Sequence, residues 1–144
     1  MDTYVKPVEI RWADLDPNFH VLHSHYYDFG AYIRVCYFID HGITLEKLAE
    51  NHLGPILFRE ECLFRREIKF ADSVTIGLEL LKSRKDASRW SIINKIMKNG
   101  TELAAQITVD GAWIDTKKRK LTAPLEEWIS TFEKMPRAEN FEWI

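Results

Sequence analysis

Within RWADLDPNFHVLHSHYYDFGAYIR, residues 11–34, the side chains of Asp14, Asp16, His20, His23 and His25 crowd around a proline turn ahead of an amphipathic helix. Four kinds of role compete for them. Asp, Pro and Asn are turn formers, and Ser24 and Asp28 suit a helix start, so a purely architectural role is one. It leaves the three neighbouring histidines unexplained. Calcium is a second, because Asp14, Asp16 and Asn18 match the first ligand positions of an EF-hand loop. The loop's Gly position is Phe19, however, and its bidentate Glu position is His25, so calcium is excluded. A third is a transition metal on His20, His23 and His25. Side chains alternate in direction along an extended segment and do not converge the three rings, so no metal is expected.

The fourth is acyl transfer to water. The first turn of a helix has backbone N–H groups without internal partners and carries partial positive charge, so it can hold a carbonyl oxygen and the oxyanion formed on attack. A carboxylate beside it, ionised at neutral pH, can activate water or attack directly.

Such chemistry needs a helix whose tip is held in place. Tyr4, Val8, Ile10 and Trp12 share a parity, which predicts a first strand over residues 4–12. Pro17 and Asn18 break it. Ser24 is the predicted N-cap of a helix reaching Asp40 or His41 and stopped by Gly42. Tyr26, Phe29, Ile33, Cys36 and Tyr37 form its apolar stripe, and Ala31, Val35, Phe38 and Ile39 widen it, so burial on several sides is expected. A short helix is predicted from Thr44 to Asn51, ended by Gly54 and Pro55. Period-two runs then span 56–70, 74–80 and 90–96, and Asn99-Gly100 predicts a type I′ hairpin into a last strand from Leu103 to Trp113. Thr122 and Pro124 open a C-terminal helix carrying Leu125, Trp128, Ile129 and Phe132. The order predicts an α+β fold with one curved five-stranded antiparallel sheet wrapped around the long apolar helix. Open strand edges predict pairing with a second copy, a dimer at minimum.

The 144 residues, 46% hydrophobic and 29% charged, fit a single domain over residues 1–144 that needs neither metal nor disulfide to fold. A formal charge of −2 supplies no field for nucleic acid or an anionic membrane, and neither partner is expected. Cys36 and Cys62 lack metal-ligand spacing and are expected to be two buried thiols. MDTYVKPVE lacks a signal peptide's apolar run, and no apolar stretch of about 18 residues occurs. A cytoplasmic protein is expected.

The stretch at residues 11–34 resembles the opening motif of the 4-hydroxybenzoyl-CoA thioesterase family, D-x-D-x-x-G-H-V-N-N-x-x-Y, with Asp14, Asp16, His20, Val21 and Tyr26 in step. GPILFREECLFRREIKFADSVTI is similar to the family's second strand and following turn, and TELAAQITVDGAWIDTKKRKLTAP to its last strand and exit. The resemblance implies the hotdog fold and hydrolysis of an acyl-CoA thioester without a cofactor, coenzyme A entering only as part of the substrate. It implies a site at a homodimer interface, with dimers able to pair into a homotetramer, and an acyl tunnel between two central helices. Asp16 takes the role of general base or nucleophile, with His23 and Tyr26 beside it and backbone N–H groups around Ser24 to Tyr26 polarising the carbonyl. The expected substrate-binding set is Asn18, Phe19, His20, Ser24, His25, Phe58, Glu60, Arg65 and Arg66. Candidates for the phosphates are Arg65-Arg66 and the clusters Lys82-Ser83-Arg84-Lys85 and Lys117-Lys118-Arg119-Lys120, the last two reading equally as solvated turns.

Departures from the pattern concentrate at the mouth of the site: Phe19 for Gly, Leu22 and His23 for two asparagines, Glu67 for Pro, and Ala71-Asp72 for Gly-Asp. Glu60 shares its parity with Phe58, Cys62 and Phe64, so it is buried with a partner, displaced by a bulge, or in the site. Glu61 is expected to pair with Arg59 or Arg65 at the surface. Hydrolysis of carrier-protein thioesters, dehydration of a hydroxyacyl thioester and non-catalytic acyl-CoA binding are the alternatives.

Overall fold

Alternation of apolar and polar residues builds a sheet of eight strands in the computed structural model, which describes residues 3–144. The elements are β1 (Val5–Val8), α1 (His23–Asp40), α2 (Leu45–Asn51), β2 (Leu53–Phe64), β3 (Val74–Gly77), β4 (Glu79–Ser83), β5 (Arg89–Lys98), β6 (Glu102–Asp115), β7 (Lys120–Thr122), α3 (Ile129–Glu133) and β8 (Arg137–Trp143). At one edge β2 pairs antiparallel with β6, and β6 pairs with β5. β3 and β4 follow as two halves of one row against β5, interrupted at Leu78 without a change of register. β1 covers β3, β8 runs parallel to β4, and β7 pairs with the end of β6.

The α+β class and the wrapped helix match the expectation, while the strand arrangement is richer. Eight strands form in place of the five expected, and sequence neighbours are not always sheet neighbours, because β2 skips β3 to β5 in sequence and joins β6. The first strand ends at Val8, since Trp12 to Asp14 turn as a short 3-10 helix. β2 stops at Phe64, where the N–H groups of Arg65 and Arg66 both bond the Ala104 carbonyl. α1 begins at His23, so Ser24 lies inside its first turn; Leu22 is the N-cap and offers no side-chain bond. Gly42 follows α1 at φ 87° as expected. Thr44 caps α2 through its hydroxyl, but His52, at φ 53°, ends that helix, and Gly54 and Pro55 belong to β2. Asn99 and Gly100 take φ 52° and 86°, the positive pair of a type I′ turn. The C-terminal helix is a 3-10 turn at Glu126–Trp128 leading into the short α3.

α1 lies against one face of the sheet. Its Phe29, Ile33, Tyr37 and Phe38 pack on Ile76, Leu80, Ile92, Ile96 and Ile107, while Trp113, Trp128 and Phe132 fill one end of the same core. The opposite face of α1 is open: Tyr32, Val35 and Ile39 are exposed, against the expectation of burial on several sides within one chain. Edge strand β2 likewise exposes Leu57, Phe58, Leu63 and Phe64. Cys36 and Cys62 are free thiols, half-buried rather than buried. Among the described residues no helix is long and apolar enough to cross a membrane.

Gly111 on β6 lies beneath the Trp90 indole, and a Cβ at that position would overlap the ring. Both groups are in the sheet-borne core, where neither backbone nor indole can yield cheaply. Gly111→Ala is therefore expected to destabilise the fold by about 2 kcal/mol, the scale of overpacking. Urea unfolding monitored by tryptophan fluorescence measures it.

Candidate active site

The site is anchored by a carboxylate that takes no part in its opening. Asp14, at the end of the 3-10 turn, is 1% exposed and accepts hydrogen bonds from the Arg11 backbone N–H at 2.8 Å, from Arg11 Nε and Nη2 at 3.3 and 2.8 Å, and shares one with His25 Nδ1 at 2.8 Å. Its backbone carbonyl accepts from the Leu22 N–H at 2.8 Å. One residue thus ties the strand-to-turn segment to the tip of α1. The Arg11 guanidinium, with help from His25, holds the Asp14 carboxyl down at about 2 against the opposing effect of burial.

Two residues on, Asp16 closes a tight loop. Its Oδ1 accepts the N–H groups of Asn18 at 2.9 Å and His20 at 3.2 Å, and its own N–H donates to the His20 carbonyl at 2.8 Å. The second carboxylate oxygen has no protein partner among the described residues. Phe19 sits at φ 64°, the left-handed region where the family pattern carries Gly, and its large ring is two-thirds exposed. The loop therefore keeps the conformation that glycine would favour while holding a strained aromatic residue. Val21 N–H to the Ile68 carbonyl, 2.8 Å, and a bridge between His20 and Lys69 tether it to the β2–β3 connection.

Asp16 opens onto a cavity of about 310 Å³ shared with His23, Tyr26, Phe64, Arg65 and Arg66. Tyr26 is buried, its ring edge-on to Phe64 with centroids 5.0 Å apart, and burial pushes its phenol up to about 12, so it remains a protonated donor. His20 also lines the cavity, but its Nε2 lies 2.9 Å from Glu67 Oε2. Arg66 is 3.5 Å from Glu102, and both Arg65 and Arg66 are exposed. Of the amides at the tip of α1, those of Leu22 and His25 are already bonded, to the Asp14 and Leu22 carbonyls respectively. The N–H groups of His23 and Ser24 remain as the available pair, a narrower set than Ser24 to Tyr26.

The other expected residues lie apart from this cavity. Asn18 and Phe19 line a neighbouring hollow of about 570 Å³ together with Trp12 and Phe70, and His20 borders both spaces. His25 is turned to Asp14, and the Ser24 side chain is exposed. Phe58 is the bulged residue where the β2–β6 register shifts between Leu57 and Arg59, and its ring stacks with the Arg89 guanidinium 4.7 Å from the centroid. Glu60 is paired with Arg34, and Glu61 with Arg59 at 2.6 Å. Asp14, Phe64 and Glu67 were outside the expected site. Only the D-x-D spacing pointed towards Asp14, because a buried anchoring role depends on a partner eleven residues away. Burial leaves the Cys62 thiol raised to about 11, removing it as a nucleophile near neutral pH. No group of three His, Cys, Asp or Glu side chains among the described residues could hold a metal.

A profile of the Thioesterase-like superfamily matches residues 10–132, a span running from before Asp14 to the end of the core. The chain belongs to the Thioesterase-like superfamily. Curated proteins include no significant match to the sequence. Among solved structures, a hypothetical protein from Staphylococcus aureus in complex with CoA is 16% identical, with 95% of this chain and 88% of that chain covered and a TM-score of 0.87. A DHNA-CoA thioesterase from Staphylococcus aureus is 16% identical over 93% and 91% of the two chains, at a TM-score of 0.83. A 1,4-dihydroxy-2-naphthoyl-CoA thioesterase from Synechocystis is 14% identical over 92% and 97%, at 0.82. At such identities the likeness establishes the shared architecture, the hotdog fold.

The Asp14 anchor has a defined pH signature. Its folded-state carboxyl lies below the ordinary aspartate range, so its contribution to stability is complete above about pH 4 and lost as pH falls through about 2. Asp14→Asn is expected to lose about 2 kcal/mol near neutral pH, the scale of hydrogen bonds to a charged group. The gap between variant and wild type should narrow steadily from pH 4 to pH 2 in urea titrations. A gap independent of pH would remove the ionised carboxylate as its source.

Proposed function

We propose that this superfamily member hydrolyses acyl-CoA thioesters and, on its D-x-D motif, that it falls within the 4-hydroxybenzoyl-CoA thioesterase branch. The observation that carries the proposal is Asp16, a carboxylate with one oxygen free of protein partners among the described residues, lining the same cavity as His23 at the tip of α1. The CoA complex of one structural neighbour and the thioesterase names of two others support the choice of ester.

In this reading the thioester carbonyl oxygen points to the N–H groups of His23 and Ser24, and the phenol of Tyr26 lies at the buried wall. Asp16 either takes a proton from water, which adds to the carbonyl carbon, or attacks that carbon itself to give an anhydride that water then opens. The oxyanion forms against preorganised amides with the helix dipole behind them. Its collapse breaks the carbon–sulfur bond, and the CoA sulfur leaves with a proton, giving free acid and CoA. His20, held by Glu67, stiffens the loop carrying Asp16. Arg65 and Arg66 are the cations nearest the opening and serve the phosphates.

The proposal includes a homodimer. β2 is a twelve-residue edge strand with one side unpaired, and the exposed Tyr32, Val35 and Ile39 of α1 form an uncovered apolar face. Both are relieved if a second copy adds its β2 and its central helix to the first. Sedimentation should then return at least twice the 17.0 kDa of one chain. A monomer at micromolar concentration would refute this part.

Asp16→Asn keeps the size of the side chain and an acceptor for the turn while removing the base. It is expected to leave the thermal unfolding midpoint within about 2 °C and to lower kcat/KM for acyl-CoA hydrolysis by about 100-fold or more, the scale of a lost general base. Thiol release measured across a panel of acyl-CoA esters checks it, and an undiminished rate would overturn the role of Asp16.

A further inference from the structure

A charged side chain lies in the middle of the helix–sheet core, where the sequence pattern offers only apolar residues. Arg34 of α1 is 8% exposed, with Nη1 donating to Asn94 Oδ1 at 2.6 Å and Nη2 to Glu60 Oε2 at 3.3 Å. Asn94, fully buried on β5, donates through Nδ2 to the Gly77 carbonyl at 3.1 Å, at the break between β3 and β4. The amide is thus explained by an interrupted strand. The guanidinium is not, because a simpler donor would satisfy Asn94.

The chain makes room for Arg34 at a cost. A Cβ at Gly30, one turn earlier on α1, would stand 2.9 Å from Arg34 Nη1 and 3.1 Å from Ile107 Cδ1, so the guanidinium as placed is accommodated beside a glycine inside the helix, worth about 1 kcal/mol less than alanine there. Burial also disfavours the charge itself and lowers the Arg34 pKa, with Glu60 opposing that shift. Ion pairs of this kind can often be replaced by apolar side chains without loss of stability. Stability alone therefore gives no account of Gly30, Arg34 and Glu60 together.

Position supplies one. After the bulge at Phe58, Glu60 faces the helix opposite the fully buried Val109, in one row with Cys62 and Phe64. Phe64 lines the Asp16 cavity and touches Tyr26. From Phe64 to Glu60 is four strand residues, about 13 Å, and from Tyr26 to Arg34 is eight helical residues, about 12 Å. Strand and helix thus run side by side from the cavity to the ion pair, with the protonated Cys62 thiol between. Glu60 is 28% exposed at its side chain, and its Oε1 has no partner among the described residues.

Resting on the thioesterase reading above, we propose that Arg34 and Glu60 form a polar seat for the far end of an acyl chain that runs from the Asp16 cavity along β2 and α1, selecting medium-chain acyl groups that end in a hydroxyl. Such a hydroxyl donates to Glu60 Oε1 and accepts from the guanidinium. A methyl terminus leaves both unmatched, and a carboxylate terminus meets the charge of Glu60.

The test compares kcat/KM for ω-hydroxydecanoyl-CoA, decanoyl-CoA and the mono-CoA thioester of decanedioic acid. The wild-type protein is expected to favour the hydroxylated chain over both others by about tenfold or more, as sites built to bond a hydroxyl reject analogues lacking it. The paired variant Arg34→Met/Glu60→Leu, checked for folding by its thermal midpoint, should bring the hydroxyl-to-methyl ratio to about one or below. Equal rates on the first two substrates in the wild type, or a variant that lowers every substrate in the same proportion, would overturn the proposal. Should no acyl-CoA be hydrolysed at all, the thioesterase reading falls first. The seat is then judged by thermal shift: ω-hydroxydecanoic acid must raise the wild-type midpoint more than decanoic acid does, and an equal rise rejects it.

Discussion

The geometry of the candidate site depends on one buried carboxylate. Asp14 accepts three bonds from Arg11 and shares one with His25, while its own carbonyl holds the N–H of Leu22. That clamp fixes the strand-to-turn segment directly to the first turn of α1, while the bridge from Leu15 to Val21 closes the loop carrying Asp16 beside it. An aspartate suits the task because its short side chain brings a full charge close to backbone donors, and enclosure then keeps water from competing. Asp16, two residues on, does the reverse, committing one oxygen to the turn and leaving the other without a protein partner among the described residues. A D-x-D pair thus divides into one carboxylate that fixes position and one that faces the cavity.

The same separation recurs along α1. Its inward stripe of Phe29, Ile33, Tyr37 and Phe38 binds the helix to the sheet and needs no special chemistry. Arg34 interrupts that stripe and draws Asn94, Glu60 and Gly30 into a polar arrangement beneath the edge strand. The helix consequently borders the Asp16 cavity at its first turn and carries a charged pair two to three turns later, connected by the inward row of β2. Both lie next to β2, whose outer edge is unpaired. That edge and the bare face of α1 explain why a chain of this size carries exposed Phe58, Phe64, Val35 and Ile39.

Strain at Phe19 belongs to the same picture. The loop around Asp16 needs a residue at positive φ, which glycine supplies without penalty and phenylalanine does not. The exposed ring borders the hollow beside the cavity and adds apolar surface there. Local stability has been exchanged for a bulkier entrance than the family pattern provides.

Much of the architecture was legible in the residues alone. Period-two runs, the Asn99-Gly100 turn, the short helix beginning near Thr44 and the Gly42 stop depend on local backbone preferences, and these hold wherever the segment lies. The motif around Asp16 was legible for a similar reason, since a turn followed by a helix is a local structure. Residues 137–143 were not, because β8 acquires its hydrogen bonds from β4, more than fifty positions earlier, and has no strong alternation of its own. The exchange of β2 onto β6, the bulge that turns Phe58 away and the pairing of Glu60 with Arg34 likewise arise between distant segments. Sequence determined which residues could form a helix tip with a carboxylate beside it. Tertiary structure decided which of the two aspartates is enclosed and which is open, because burial and hydrogen-bond satisfaction are properties of the assembled chain.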